Sequence, residues 1–248
     1  TTVNLTGGNE LSTFTVGGAG AAAPTDELDG STMTTFNASA FTGNVDLEYA
    51  LGTLTSLMSV SAGALLTDVV RTSYNTDATT VTPALTGVDR FVVDLDTGND
   101  GAETYTFNLS GATGLTRMEY GTGTINTTTV VINAYDASTT IQLGTTIDGS
   151  LQEGTGNLDV AMVNAAGATD VMNLRLADTE DGVLTDIDAA GIETTNIVLT
   201  TDAQSHNLSL AGVTPTTGSA GTINISGGVS TDGITVADVA AGVTTIDA

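Results

Sequence analysis

The stretch GIETTNIVLTTD, residues 191–202, opens on a glycine, an aliphatic and an acid, then runs on as β-branched residues with polar ones between them. A close counterpart, GVDRFVVDLDTG, occupies residues 87–98. Glycine supplies the positive φ of a corner, and β-branched residues suit a pleated strand, so each phrase reads as a corner followed by a strand. In this reading Gly191 turns, Glu193 sits at or near the surface, and Ile192, Ile197 and Leu199 enter the core. Asn196 is the informative residue: turned inward, it would ladder with its counterparts in neighbouring coils.

The phrase has echoes at Gly114-Leu115 and Gly242-Val243. A second phrase, aliphatic then Asn or Asp then Ala, closes residues 34–40, 130–138, 184–191 and 244–248. A third, NLSG, NLSL or NISG, starts at Asn108, Asn207 and Asn224. Alternating apolar and polar residues mark strands over 2–7, 91–96, 104–111, 129–136, 157–164, 171–178, 195–202, 206–212 and 221–228. Turn formers bound each run. Single-strand phrases that recur without Asn-Gly or Asp-Gly hairpin signals between neighbours point to a solenoid, each coil burying its inward residues against the next. The expected fold is therefore all-β, a right-handed parallel β-helix with irregular repeats running as one segment over 1–248. A β-sandwich is the alternative; it would explain the alternation but not the recurring phrases. A short helix is expected in VDLEYALGTLTSLMSV (45–60), where Leu47, Leu51, Leu54 and Met58 share a helical face.

Composition agrees with strands. The chain of 248 residues has 30 glycines, abundant threonine, 4% aromatics and no tryptophan. With Lys+Arg 4 and Asp+Glu 29 the net charge is −25, and all four basic residues are arginines: Arg71, Arg90, Arg117 and Arg175. So acidic a chain repels phosphate backbones, which excludes nucleic acid as a partner. The acid excess fits either a solvated, self-repelling surface or a set of cation ligands, chiefly for Ca²⁺. The absence of cysteine excludes disulfides and thiolate chemistry. No apolar run is long enough for a membrane helix, so membrane insertion is not expected. The chain opens and closes in strand-like sequence, as if cut from a longer repeat protein.

The densest acidic loop, DLDTGNDGAE, offers Asp94, Asp96, Asn99, Asp100 and Glu103 around Gly98 and Gly101. Several oxygen donors on a tight turn suit a hard cation, although the order is not that of an EF-hand. LADTEDG adds Asp178, Glu180 and Asp181, with Asp186 and Asp188 soon after. Two further stretches are GGVSTDGIT (227–235), with Asp232, and GGAGAAAPTDELDGST (17–32), with Asp26 and Asp29. The first resembles the RTX calcium nonapeptide: Gly227, Gly228, Asp232 and Ile234 match, and Ser230 stands where the third glycine belongs. The second resembles the same repeat with AAAPT inserted. Together with DVMNLRLADTEDGVLTDIDAAGIETTNIVL (170–199), the chain resembles the β-solenoid regions of RTX-type bacterial surface-layer proteins and large secreted adhesins. That resemblance implies a parallel β-helix, Ca²⁺-dependent folding or lattice assembly with copies of itself, and an extracellular, cell-surface location.

Enzymatic readings fare poorly. His206 is the one histidine, and Ser205 and Asp202 are neighbours in sequence rather than evidence of a triad. His206 reads as a surface residue of its strand. Arg90 and Asp94 can share a face, as carboxylate-based sugar chemistry would need, but aromatics to stack sugars are few. Asn-x-Ser/Thr sequons at Asn4, Asn37, Asn108, Asn126, Asn207 and Asn224 are what a Thr-rich chain produces by chance. The expected function is a self-assembling structural component of an extracellular layer or filament, with Ca²⁺ bridging acidic loops. The alternative is an adhesive module for a glycan, such as a cell-surface polysaccharide, or a host surface.

Overall fold

A computed structural model describes residues 2–9, 12–16, 34–49, 59–63, 67–74, 80–95, 104–121, 128–147, 150–152, 156–177, 184–200, 205–228 and 233–248. The chain is a parallel β-solenoid. Two successive circuits show the plan. Ala84–Thr86, Arg90–Leu95 and Thr104–Asn108 lie in three different sheets, and Ala112–Thr113, Arg117–Gly121 and Thr129–Tyr135 stack on them in the same order. Every strand of these three sheets pairs in parallel with strands of neighbouring circuits, whereas a sandwich would pair neighbours antiparallel.

The three walls differ in length. The ten-stranded sheet runs from Thr13–Val16 to Val243–Asp247. The five-stranded sheet begins at Thr2–Gly7 and ends at Ala112–Thr113. The seven-stranded sheet begins at Thr80–Val81 and ends at Gly233–Val239. Beyond Thr113 the described strands of the circuits therefore form two long walls, with one hairpin outside them. The interior changes with them. All five tyrosines are buried, as are Phe36, Phe41, Phe91 and Phe107, with Phe14 packed against them. None of these rings comes after Tyr135; the two-walled circuits are filled by Ile, Leu, Val and Met, among them Leu174, Ile187, Ile197 and Leu208. Wide levels need large rings to reach native packing density, and narrow ones do not.

Each alternating run of the sequence forms a strand, with three departures. Residues 45–60 hold no helix among the described residues: Asn44–Tyr49 and Ser59–Ser61 are strands, and 50–58 lie outside the described residues. Val45, Leu47 and Tyr49 are buried at a period of two, because Asn44–Tyr49 is held between Thr13–Val16 and Val69–Tyr74. In NLSG the strand stops at Asn108, whose side-chain oxygen accepts from Ser110 N at 3.0 Å and caps a 3₁₀ turn, Leu109–Gly111. One antiparallel hairpin, Thr145–Ile147 with Ser150–Gln152, interrupts the solenoid. The sequence carries Asp148-Gly149 between its strands, an exception to the expected lack of hairpin signals.

Candidate functional site

The Gly–aliphatic–acid phrase is a corner that repeats its chemistry. Gly87, Gly114, Gly191 and Gly242 all have positive φ. Val88, Leu115 and Ile192 behind the first three are buried in the core. The acid then caps the level before it: Asp89 Oδ2 accepts from Asp68 N at 2.9 Å, and Glu193 Oε2 accepts from Asp170 N at 2.9 Å. In both corners the earlier acid's carbonyl takes two amides, Asp89 and Arg90 on Asp68, Glu193 and Thr194 on Asp170, all at 3.0 Å. Glu193 is thus buried rather than at the surface, because its carboxylate satisfies backbone donors that stacking removes from water. Ile192, Ile197 and Leu199 enter the core as the alternation requires.

The two corners differ in completeness. Burial works against the charge on Glu193, but Thr216 N, donating to Oε1 at 2.8 Å, and Asp170 N outweigh it and hold the carboxyl below its ordinary range. Asp68 is fully buried; its Oδ1 accepts from Val45 N at 2.6 Å, and its Oδ2 has no hydrogen bond among the described residues. Burial, with a contribution from the charge of Asp89, pushes the Asp68 carboxyl up to about 6.

The outward face of the ten-stranded sheet gathers all four arginines. Arg90 and Arg117 share one column, and Arg71 and Arg175 lie in the next. Arg90 grips buried Glu119 with two bonds, Nε to Oε1 at 2.6 Å and Nη2 to Oε2 at 3.0 Å. Gln142 Nε2 donates to Glu119 Oε2 at 3.2 Å and to Gly144 O at 2.9 Å. Arg117 Nη1 reaches Glu119 and Gln142 at 3.4 Å, and Arg71 pairs with Asp46 at 2.6 Å. Burial, helped by the nearby charges of Arg175 and Arg90, draws the Arg117 guanidinium below its usual range. The hairpin lies against Arg90–Leu95 and Arg117–Gly121. The bidentate Arg90–Glu119 pair at its centre adds geometric specificity to the charge pairing. Asp94 lies on the same outward face as Arg90, as their spacing predicts.

The asparagine ladder exists, but on the outer face. Asn196 Nδ2 donates to Asn173 Oδ1 at 2.9 Å, and Asn224 Nδ2 donates to Asn196 Oδ1 at 2.8 Å. Thr195, not Asn196, takes the inward position beside Ile197. The third phrase does not stack: Asn108 and Asn207 belong to the seven-stranded sheet and Asn224 to the ten-stranded one. His206, expected at the surface, is fully buried, because it shares its side of the strand with Leu208.

At its lower end the ladder holds a loop. Asn173 Nδ2 donates to Ala137 O at 2.8 Å. Tyr135, whose phenol burial pushes up to about 12, donates from its hydroxyl to Thr139 O at 2.7 Å and accepts from Asn173 N at 2.9 Å. Thr139 Oγ1 donates to Leu115 O at 3.0 Å. The loop lines a cavity of ≈ 310 Å³ beside Ala112, in the last strand of the five-stranded sheet. Asp136 and Ser138 line it with Ser110, Leu109 and Val163, and no aromatic ring does. Ala134, also in the lining, is the one non-glycine residue with positive φ among the described residues, at φ 56.

Of the expected cation ligands, Asp94 alone falls within the described residues. Asp96, Asn99, Asp100, Glu103, Asp178, Glu180, Asp181, Asp232, Asp26 and Asp29 lie outside them. Among the described residues no group of three or more His, Cys, Asp or Glu is placed to hold a metal ion. On the outer face of the seven-stranded sheet Asp159 pairs in register with Asp188, beside Asp186. Burial, then the charges of Asp188 and Asp186, raises the Asp159 carboxyl above its ordinary range. No helix among the described residues is long and apolar enough to cross a membrane. No protein-family model, curated protein or solved structure matches the chain.

Proposed function

We propose that this β-solenoid is a structural element that stacks end to end with copies of itself in an extracellular layer or filament, with Ca²⁺ screening and bridging its acidic surfaces. The supporting observation is the register of the ten-stranded sheet at its two outermost strands. Thr15 pairs with Asp46, and that column continues through Val69, Arg90, Arg117, Thr140, Asn173, Asn196 and Asn224 to Asp247. Phe14 and Ile246 are therefore equivalent neighbours of that column. Ile246 is 54% exposed, Val3 and Val239 also stand out at the two extremities, and the outer edges of Thr13–Val16 and Val243–Asp247 pair with no other described strand. An open strand edge is a template for another strand, whether of the same polypeptide where it continues or of another copy, and a head-to-tail contact between unlike ends propagates rather than closes. A second copy seated in register would cover Ile246 with Phe14 and set Thr15 beside Asp247. At −25 such copies repel, so a divalent cation is the natural counterion.

Sedimentation velocity and electron microscopy, with Ca²⁺ or with a chelator, test the reading. Concentration-dependent filaments or sheets are expected with Ca²⁺. Ile246→Asp should abolish them while leaving the melting temperature nearly unchanged, since Ile246 contributes little buried area. A monomer at every concentration and in both conditions would overturn the proposal.

A further inference from the structure

The cavity beside Ala112 goes beyond stacking, and its geometry stands independently of that reading. It lies where the five-stranded wall ends, so a step in the solenoid forms a recess of ≈ 310 Å³. That is the lower end of the usual range for small-ligand sites, roughly 300–1,000 Å³. The loop that supplies its polar groups is fixed from several sides, by Tyr135 and Asn173 on its carbonyls and by Thr139 on Leu115 O. A recess whose donors and acceptors are already immobile loses little entropy on binding. Ala134, in the wall of the recess at φ 56, is the extra residue of a bulge where the pairing shifts between Asn133 and Tyr135.

We infer that this recess binds a single neutral sugar ring. Asp136 is exposed, and the hydroxyl and amide of Ser138, the latter at 2.8 Å, hold its carboxyl below the ordinary range, so it is an anion at neutral pH. A carboxylate with two hydroxyls beside it, Ser110 and Ser138, matches a ligand rich in hydroxyl donors. The aliphatic wall of Leu109 and Val163 matches the C–H face of such a ring. Uronic and other acidic sugars are excluded by Asp136 and by the field of a chain at −25. One carboxylate is too few for a stable divalent cation site. Because no ring stacks on the ligand, affinity is modest, on the order of millimolar.

Saturation-transfer NMR and titration of the full chain with neutral hexoses, uronic acids and a simple alkylamine decide the matter. A neutral hexose is expected to bind with chemical-shift changes at Ser110, Ser138 and Val163. Asp136→Asn should weaken it about tenfold. Val163→Glu, at a rim position 57% exposed and free of core packing, should remove it without loss of fold. The inference is overturned if no neutral hexose binds at tens of millimolar, if both variants bind as well as the parent, or if the alkylamine alone binds. None of these outcomes depends on whether the chain stacks.

Discussion

At Gly191 two demands fall on one residue. Its φ is +77, and a Cβ there would stand 2.4 Å from Ala165 O in the circuit before. Gly191→Ala therefore carries strain of about 1–3 kcal/mol and must also push two circuits apart. Gly218→Ala is the control: φ is +91 but nothing lies within 4 Å, so only the conformational cost of about 1–2 kcal/mol remains. Thermal denaturation of the two variants should rank Gly191→Ala clearly lower; equal losses would mean that the close approach is immaterial. Asp68 gives a prediction of different kind. Its carboxyl titrates at about 6 in the fold, above the ordinary value of about 3.9 in an unfolded chain. The folded state binds this proton more tightly, so Asp68 adds stability as pH falls through about 6, and the gain is lost as pH rises again. Two pH units correspond to about 2–3 kcal/mol at most. Melting temperatures between pH 7.5 and 5 should rise for the parent and stay flatter for Asp68→Asn. Glu193 has the opposite sign: its depressed carboxyl contributes stability at neutral pH that is lost only as pH falls below the ordinary glutamate range.

At the scale of the element, the outer asparagines join separate strands to a loop. Asn173 accepts from Asn196 and donates to Ala137 O, so Asn173→Ala removes both bonds and leaves the Asn196 amide without its acceptor. The expected loss is about 1–3 kcal/mol. Hydrogen exchange offers the sharper readout: faster exchange at Ser138 and Thr139 ties the ladder to the loop, whereas a uniform loss across the chain would reduce the ladder to general stability. The strands themselves were legible because alternation is a period-two signal that stacking preserves. The ladder was legible in its residue but not in its direction. Thr195, Ile197 and Leu199 share a side, and that parity turns Asn196 outward, so the ladder runs along the outer face. The 45–60 segment misled because leucines at that spacing fit a helix face, while Val45, Leu47 and Tyr49 fit a strand equally well. Packing between two flanking strands decides such a case, and it is a long-range fact. The recess beside Ala112 left no trace in any one phrase, since it arises from one sheet ending while the other two continue.

Across the whole molecule, two distributions explain most of the architecture. Rings occupy the wide, three-walled circuits and vanish after Tyr135, where two walls suffice. Positive charge is confined to one face of the ten-stranded sheet and partly neutralised there by Asp46 and Glu119, which leaves the rest of the surface acidic. Carboxylates that stack in register, as Asp159 and Asp188 do with Asp186 beside them, then repel between circuits. Simple salt should relieve it, because the Debye length falls from about 30 Å at 0.01 M to about 8 Å at 0.15 M. A specific cation should do more than screen. Melting temperature measured in CaCl₂ and in NaCl at matched ionic strength separates the two effects. A larger rise in Ca²⁺, reversed by a chelator, is expected if acidic sequence stretches such as Asp94 to Glu103 take up the ion. Equal rises in the two salts would leave screening alone, and the role proposed for Ca²⁺ would fall while end-to-end stacking stood. The copy number of the assembly then separates what remains: stacking driven by Ile246 and Phe14 should persist in NaCl at high ionic strength, whereas bridging by a divalent ion should not.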